Sequence, residues 1–208
     1  TYTRVAGNGF EENDEVGVFA LVGSSTMKEE RYADNLRFFR TSEKVFESSE
    51  PIYYPDDEVT LRLISYYPYQ EEGVNMGEST MSVAVETDQN LSAGYFCSDF
   101  LVASQNLQSA PKGAIALHYD HKFFKLKIAL VGKEGEELQG ILDADPKLSV
   151  CGFYTKAIYD FQKETYSAFS NEKSITPAGK WEIQGDRLSG KEVILIPQET
   201  TLGYQYIC

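Results

Sequence analysis

The chain has 208 residues, 42% apolar and 25% charged, long enough for one large domain or for one domain and part of another. At this size roughly 70% of the unfolded surface can be buried, so a core needs no disulfide framework. Lys and Arg number 19 against 32 Asp and Glu, a formal charge of −13, and the longest basic cluster is Lys122, Lys125 and Lys127, which argues against a nucleic-acid partner. No window approaches the ~18 uninterrupted apolar residues of a membrane span. The chain begins at Thr1 and not at Met, so any export signal is removed or not included.

Aromatic usage points to strands. There are 14 Tyr and 12 Phe against one Trp, and many of the Tyr stand beside Thr, Val and Ile, a mix that suits pleated, half-buried surfaces. The first strand expected is Glu15–Val22, EVGVFALV, bounded by the acidic turn EENDE and by GSS. Asn35–Arg40 and Lys44–Glu47 read as short strands around a Thr-Ser turn, and Tyr53–Asp57 as a turn set by Pro55. In Val59–Tyr69, residues Val59, Leu61, Leu63, Ser65 and Tyr67 share one face, and Thr60, Arg62, Ile64 and Tyr66 the other. Met81, Val83 and Val85 alternate with small or polar residues as in a half-buried strand. Phe100–Ala103 opens a further apolar segment. Ile115, Leu117 and Tyr119 then share odd parity while Phe124, Leu126, Ile128 and Leu130 share even parity, so a bulge or short turn is required near Asp120–Phe123. Leu148–Tyr154, Ala157–Phe161 and Glu192–Ile196 complete the set.

No segment sustains a helical period over three turns, and turn residues recur between the strands. The pattern predicts an all-β sandwich of about seven or more strands, mostly antiparallel. Asn171–Gly190, richer in Ser, Gly, Pro and charge, is the one expected long loop. The chain is expected to divide into a sandwich over 1–190 and a stretch, 191–208, that is either a closing strand or the start of a second domain.

Five stretches, in this order, carry a resemblance: TRVAGNGFEENDEVGVFAL (Thr3–Leu21), IYYPDDEVTLRLISYYPY (Ile52–Tyr69), ETDQNLSAGYFCSDFLVA (Glu86–Ala103), IALHYDHKFFKLKIAL (Ile115–Leu130) and KEVILIPQET (Lys191–Thr200). Each alone is a weak motif, but the succession resembles the fimbrillin-like (Mfa-like) family of gut and oral Gram-negative anaerobes. The resemblance implies a transthyretin-like Greek-key β-sandwich, used as the amino-terminal domain of surface pilus subunits or pilus-tip adhesins. It also implies export as a lipoprotein, with the precursor held at the outer membrane by its lipid anchor and the protein displayed on the extracellular surface. Family members are trimmed by a trypsin-like protease after an Arg near the end of the first strand, and polymerise by strand donation between pilin subunits. Arg4, between strand-forming Thr1–Thr3 and the glycine-containing Val5–Gly9, is the matching position.

Catalytic and metal chemistry find no convincing set of residues. His118 and His121 are the only histidines, and three residues apart on a strand they point to opposite faces, so structural roles are expected and not a metal site. The acidic runs Glu11–Glu15, Asp56–Glu58 and Asp143–Asp145 lack the calcium-loop pattern and read as solvated turns. Of the three cysteines, Cys97 and Cys151 read as small buried hydrophobes, and an odd count leaves at least one of Cys97, Cys151 and Cys208 unpaired; which, if any, pair is left open. No Ser/His/Asp set, P-loop or singled-out carboxylate pair is readable, so no enzyme activity and no cofactor are expected. Trp181, in the polar AGKWEIQ segment, is a possible contact for a sugar or protein ligand, set against a ring packed under its loop. The expected function is a non-enzymatic fimbrial subunit or tip adhesin, meeting a host or bacterial receptor or glycan; the alternative is a surface glycan-binding module.

Overall fold

Both faces of Glu15–Val22 are apolar and both are buried. Because a strand sends successive side chains to opposite sides, such a segment needs cover above and below. A computed structural model, describing residues 5–6, 9–55 and 59–208, shows how the cover is built. The chain runs through β1 (Val5–Ala6), β2 (Gly9–Phe10), β3 (Glu15–Val22), β4 (Ala33–Arg40), β5 (Phe46–Glu47), β6 (Leu61–Tyr67) and β7 (Thr80–Ala84) to a short helix α1 (Ser92–Cys97). It continues through β8 (Leu101–Leu107), β9 (Asp120–His121), β10 (Phe124–Leu130), α2 (Leu138–Asp143), β11 (Tyr154–Asp160), β12 (Thr165–Glu172), β13 (Glu182–Gln184) and β14 (Arg187–Leu195).

A six-stranded sheet, ordered β5-β4-β3-β6-β8-β9, forms one layer. Two three-stranded sheets, β12-β11-β7 and β10-β14-β13, form the other, and β1 pairs with β2 in a small hairpin. Every strand pairing is antiparallel, as the all-β sandwich expected from the sequence requires. The main core lies between the layers. Phe19, Leu21, Ile64, Tyr66 and Val102 from the large sheet meet Met81, Val83, Tyr159, Val193 and Leu195 from the smaller ones. Burial of side chains of this size contributes about 1.5–3 kcal/mol each. Phe19 stacks on Tyr66 at 5.8 Å, and Phe161 meets both edge-on.

Two local devices set the shape of that core. A Cβ at residue 17 would lie 2.1 Å from Tyr66 Cε1, so only glycine lets the Tyr66 ring cross β3. The Tyr66 hydroxyl then donates to Asn35 Oδ1 at 2.8 Å, beyond the sheet's inner surface. Arg31, whose side chain has no exposed surface, donates to the carbonyls of Met27, Val74, Asn75 and Glu78 and pairs with Asp34. One guanidinium therefore ties the loop before β4 to the loop before β7, with every buried N–H bonded as a low-dielectric interior demands.

Several local expectations change. The parity break near Asp120–Phe123 is where the chain passes from the large sheet (β9) to the smaller one (β10), with Phe123 buried at the crossing. Ile115–Tyr119, although strand-like in pattern, pairs with nothing. The expected Asn171–Gly190 loop carries strand at both ends: β12 runs into it, and β13 and β14 form a hairpin around Gly185, which has φ +65°. Its strand residues are mostly exposed, so no apolar alternation marked them. Of Leu148–Tyr154, Val150 bridges Ile175 and Ile207 and Tyr154 opens β11, while Gly152, with φ +77°, bends the chain between them. The 190/191 boundary falls inside β14, the central strand of its sheet, whose Leu188 and Leu195 belong to one core.

The reading of Cys151 as a small buried hydrophobe is corrected: Cys151 and Cys208 form a disulfide. Its partner lies 57 residues away, too far for spacing to reveal. The tail folds back so that Ser149 and Cys208 exchange backbone hydrogen bonds at 2.8 and 2.9 Å, and Cys151 N–H donates to Tyr206 O. Cys97 is free and half-buried, and burial pushes its thiol pKa up. Closing a loop of this length stabilises by about 4 kcal/mol in the chain-entropy account. Cys208→Ser is expected to lower the unfolding free energy obtained from urea titration by up to that amount, with amide exchange rising first in residues 149–151 and 204–208; an unchanged unfolding free energy would show that the staple contributes no stability.

Candidate functional site

The face of the six-stranded sheet turned away from the main core is also apolar. Val16 and Val18 of β3, Leu63 and Tyr67 of β6, and Leu101 of β8 are all buried there. Among the described residues no broad sheet lies over them, and the two-stranded β1–β2 hairpin reaches this face through Phe10. Partly buried residues from single segments do the covering: Phe10, Phe46, Ile52, Tyr54 and Tyr119. Phe10 is the anchor, with edge-on contacts to Phe46, Tyr67 and Tyr119 at 5.0, 5.5 and 4.9 Å.

This cover is incomplete and leaves a groove of about 630 Å³. Apart from two tyrosine hydroxyls, its polar side chains are Lys44, Glu47 and Ser48. The hydroxyls are already engaged. Tyr54 donates to Val59 O at 2.6 Å, and Tyr119 shares a 2.6 Å hydrogen bond with Ser65 Oγ, which itself donates to Gly17 O. Burial pushes the Tyr119 pKa up to about 12, although the Ser65 hydrogen bond works in the other direction. The groove thus presents apolar side chains and few free polar groups.

The sheet edges flanking it are largely unpaired among the described residues. β9 pairs with β8 only at Leu101 and Val102, leaving the outer edge of Ala103–Leu107 without a strand. β5 pairs with β4 only at Phe39 and Arg40. Main-chain groups on such an edge are a template for an added strand.

Among the described residues, neither Trp181 nor the histidines, cysteines and acidic runs weighed as candidate site residues in the sequence line this groove. Trp181 is buried in the main core, only 6% exposed, with its indole N–H donating to Pro146 O at 2.8 Å. The ring weighed as a possible ligand contact is thus packed within its loop, the other arrangement set beside it in the sequence. Arg4 lies outside the described residues, as does the acidic run Asp56–Glu58. His121 bonds Asp99 Oδ1 at 2.8 Å, while His118 is exposed on the unpaired segment before β9. Among the described residues no group of three or more His, Cys, Asp and Glu is placed to hold a metal ion. Asp14 closes its own acidic turn by accepting the Glu11 N–H at 2.7 Å. No helix among the described residues is long and apolar enough to cross a membrane.

The chain belongs to the fimbrillin-like family, whose model matches residues 3–208. Its fold is similar to that of a candidate cell adhesion protein from Bacteroides uniformis, with TM-score 0.62 and 21% identity over 93% of this chain and 72% of that one. A second candidate cell adhesion protein, from Bacteroides ovatus, gives TM-score 0.64 and 15% identity over 95% of this chain and 73% of that one. At these identities the likeness is one of fold. No curated protein sequence matches the chain.

The raised Tyr119 pKa makes groove integrity dependent on pH at the alkaline end. Below pH 10, the ordinary tyrosine value, the phenol is neutral in folded and unfolded chains and its contribution is fully present. Between there and about 12 the unfolded chain ionises first, so stability falls as pH rises. Wild type should therefore lose stability across this interval more steeply than Tyr119→Phe, measured by urea unfolding at stepped pH. Equal slopes would show that Tyr119 ionises as an exposed phenol.

Proposed function

We propose that the protein is a non-enzymatic subunit of a cell-surface fimbria, or the adhesin at its tip, and that its outer-face groove accepts an extended strand from a neighbouring subunit. The observation that carries this reading is the pairing of an apolar, incompletely covered sheet face with an unpaired strand edge at Ala103–Leu107. An extended segment with alternate apolar side chains satisfies both at once: its main chain bonds the edge, and every second side chain fills the groove. Membership of the fimbrillin-like family supports the same reading.

Maturation by a trypsin-like protease after Arg4 fits this scheme, because Phe10, a few residues further on, lines the groove. In the same reading the precursor is held at the outer membrane by a lipid anchor and the mature subunit stands on the extracellular surface. A saccharide finds less to bind here, since sugars need convergent hydrogen-bonding groups beside an aromatic face, and the groove's tyrosine hydroxyls are engaged within the protein.

Limited trypsin on a full-length precursor should cut first after Arg4, ahead of sites such as the fully buried Arg31, and the trimmed chain should then self-associate in sedimentation velocity. Val45→Glu sets a charge on an exposed part of the lining that an incoming apolar side chain must desolvate. It should weaken association by about tenfold or more without changing the unfolding midpoint. A trimmed chain that stays monomeric at high concentration would remove strand donation and leave a monomeric surface module.

A further inference from the structure

Between β8 and β9 the chain opens a hairpin whose sequence is arranged to close. The existing register sets Leu101 opposite His121 and Val102 opposite Asp120. It already reaches back to Phe100, whose carbonyl accepts the Lys122 N–H at 2.8 Å. Continued forward, the same register sets Ala103 against Tyr119, Ser104 against His118, Gln105 against Leu117, Asn106 against Ala116 and Leu107 against Ile115. None of these pairs is made. Among the described residues, no main-chain group from Gln108 to His118 hydrogen-bonds to another part of the protein.

The segment instead leans over the outer face, where Ala114, Ile115, Leu117 and Tyr119 line the groove while Ala116 and His118 are exposed. Parity is the same in both arrangements. Leu101 and Leu107 of β8 belong to the outer-face clusters, so in the closed hairpin Ile115, Leu117 and Tyr119 would still face the groove side. Closing therefore needs no turn of the strand about its own axis, which a slip of one residue would impose. The leaning arrangement gains apolar contact, and the closed one gains main-chain hydrogen bonds through Ser104, Asn106, Ala116 and His118.

We infer that residues 115–119, carried on the loop 108–114, are a guard strand that can close onto the β8 edge and compete there with an incoming strand. The structure holds the open, receptive arrangement. Closing extends the β8–β9 ladder over Ala103–Leu107, so the template for edge-to-edge pairing is withdrawn until a donated strand with better apolar complementarity displaces the guard. This rests on the reading of the groove as the acceptor of a donated strand, and it adds the control of that acceptor.

The test uses a Cys97→Ala background that keeps the Cys151–Cys208 disulfide. Gln105→Cys with Leu117→Cys places two thiols directly opposite in the closed register, at a separation that a disulfide spans. Mild oxidation of the monomer should cross-link the pair, and the cross-linked chain, trimmed after Arg4, should assemble at least about tenfold more slowly than either single-cysteine variant. Ala116→Pro with His118→Pro removes the two N–H groups that the closed ladder needs, while leaving the groove-facing side chains in place. In that background the cross-link yield should collapse, and without the cysteines assembly should be faster than in wild type. Absence of cross-linking, or assembly of the locked chain at the unlocked rate, overturns the guard. If the unlocked chain itself does not assemble, the acceptor reading falls, and cross-link yield with and without the prolines decides the guard alone.

Discussion

Val16, Val18, Phe19 and Leu21 of β3, with Leu63, Ile64, Tyr66 and Tyr67 of β6, make the centre of a sheet that has no polar face, and water has to be kept from both sides of it. The rest of the architecture answers that constraint. One side is closed by two three-stranded sheets that meet it across a continuous aromatic and aliphatic core. The other is closed by single segments, anchored through Phe10, Phe46, Ile52, Tyr54 and Tyr119, and these are too few to seal it. Antiparallel sheets can leave one face to water at little cost when that face is polar. Here it is not, and the groove is the remainder.

The devices that hold the inner side are specific and few. Gly17 makes room for Tyr66, Tyr66 reaches Asn35, and Arg31 draws two loops together beneath the Phe19 ring, 5.3 Å from its guanidinium. All five Arg31 N–H groups are bonded and the Tyr66 hydroxyl both donates and accepts, which fixes these contacts in place. On the outer side the long segment before β9 has no main-chain hydrogen bonds of its own within the described residues. Stiffness on one face and looseness on the other follow from the distribution of main-chain partners.

Strand positions were legible where one periodicity dominated. Glu15–Val22 stands out as a continuous apolar run between turns, Val59–Tyr69 by its division into two faces and Phe124–Leu130 by apolar residues at a spacing of two, and each contains or overlaps an observed strand. The region from β12 to the start of β14 was not, since its residues are mostly solvent-facing and carry turn-forming chemistry within the strands; Ala168 and Asn171 even have positive φ. The two short helices α1 and α2 have no buried residue and so left no amphipathic stripe. The groove itself had a readable signal, the apolarity of β3 and β6 on both faces, but periodicity cannot tell whether a second apolar face meets a packed layer or a partial one. Trp181 was ambiguous for the opposite reason: its neighbours are polar, yet its ring is buried and its N–H satisfied by a carbonyl distant in sequence, at Pro146.

The Cys151–Cys208 link has a mechanical meaning. The tail lies antiparallel to residues 149–151, where a pull on it, away from the sheet, would break hydrogen bonds one after another, as a zipper opens. The covalent link interrupts that sequence. Tension arriving at Cys208 passes through sulfur to Cys151, whose neighbour Val150 is fully buried and bonded to Ile175 in both directions. The force is then borne by the interior of the sandwich, loaded in parallel across many contacts, and the peripheral tail behaves as a tether fixed near its outer end.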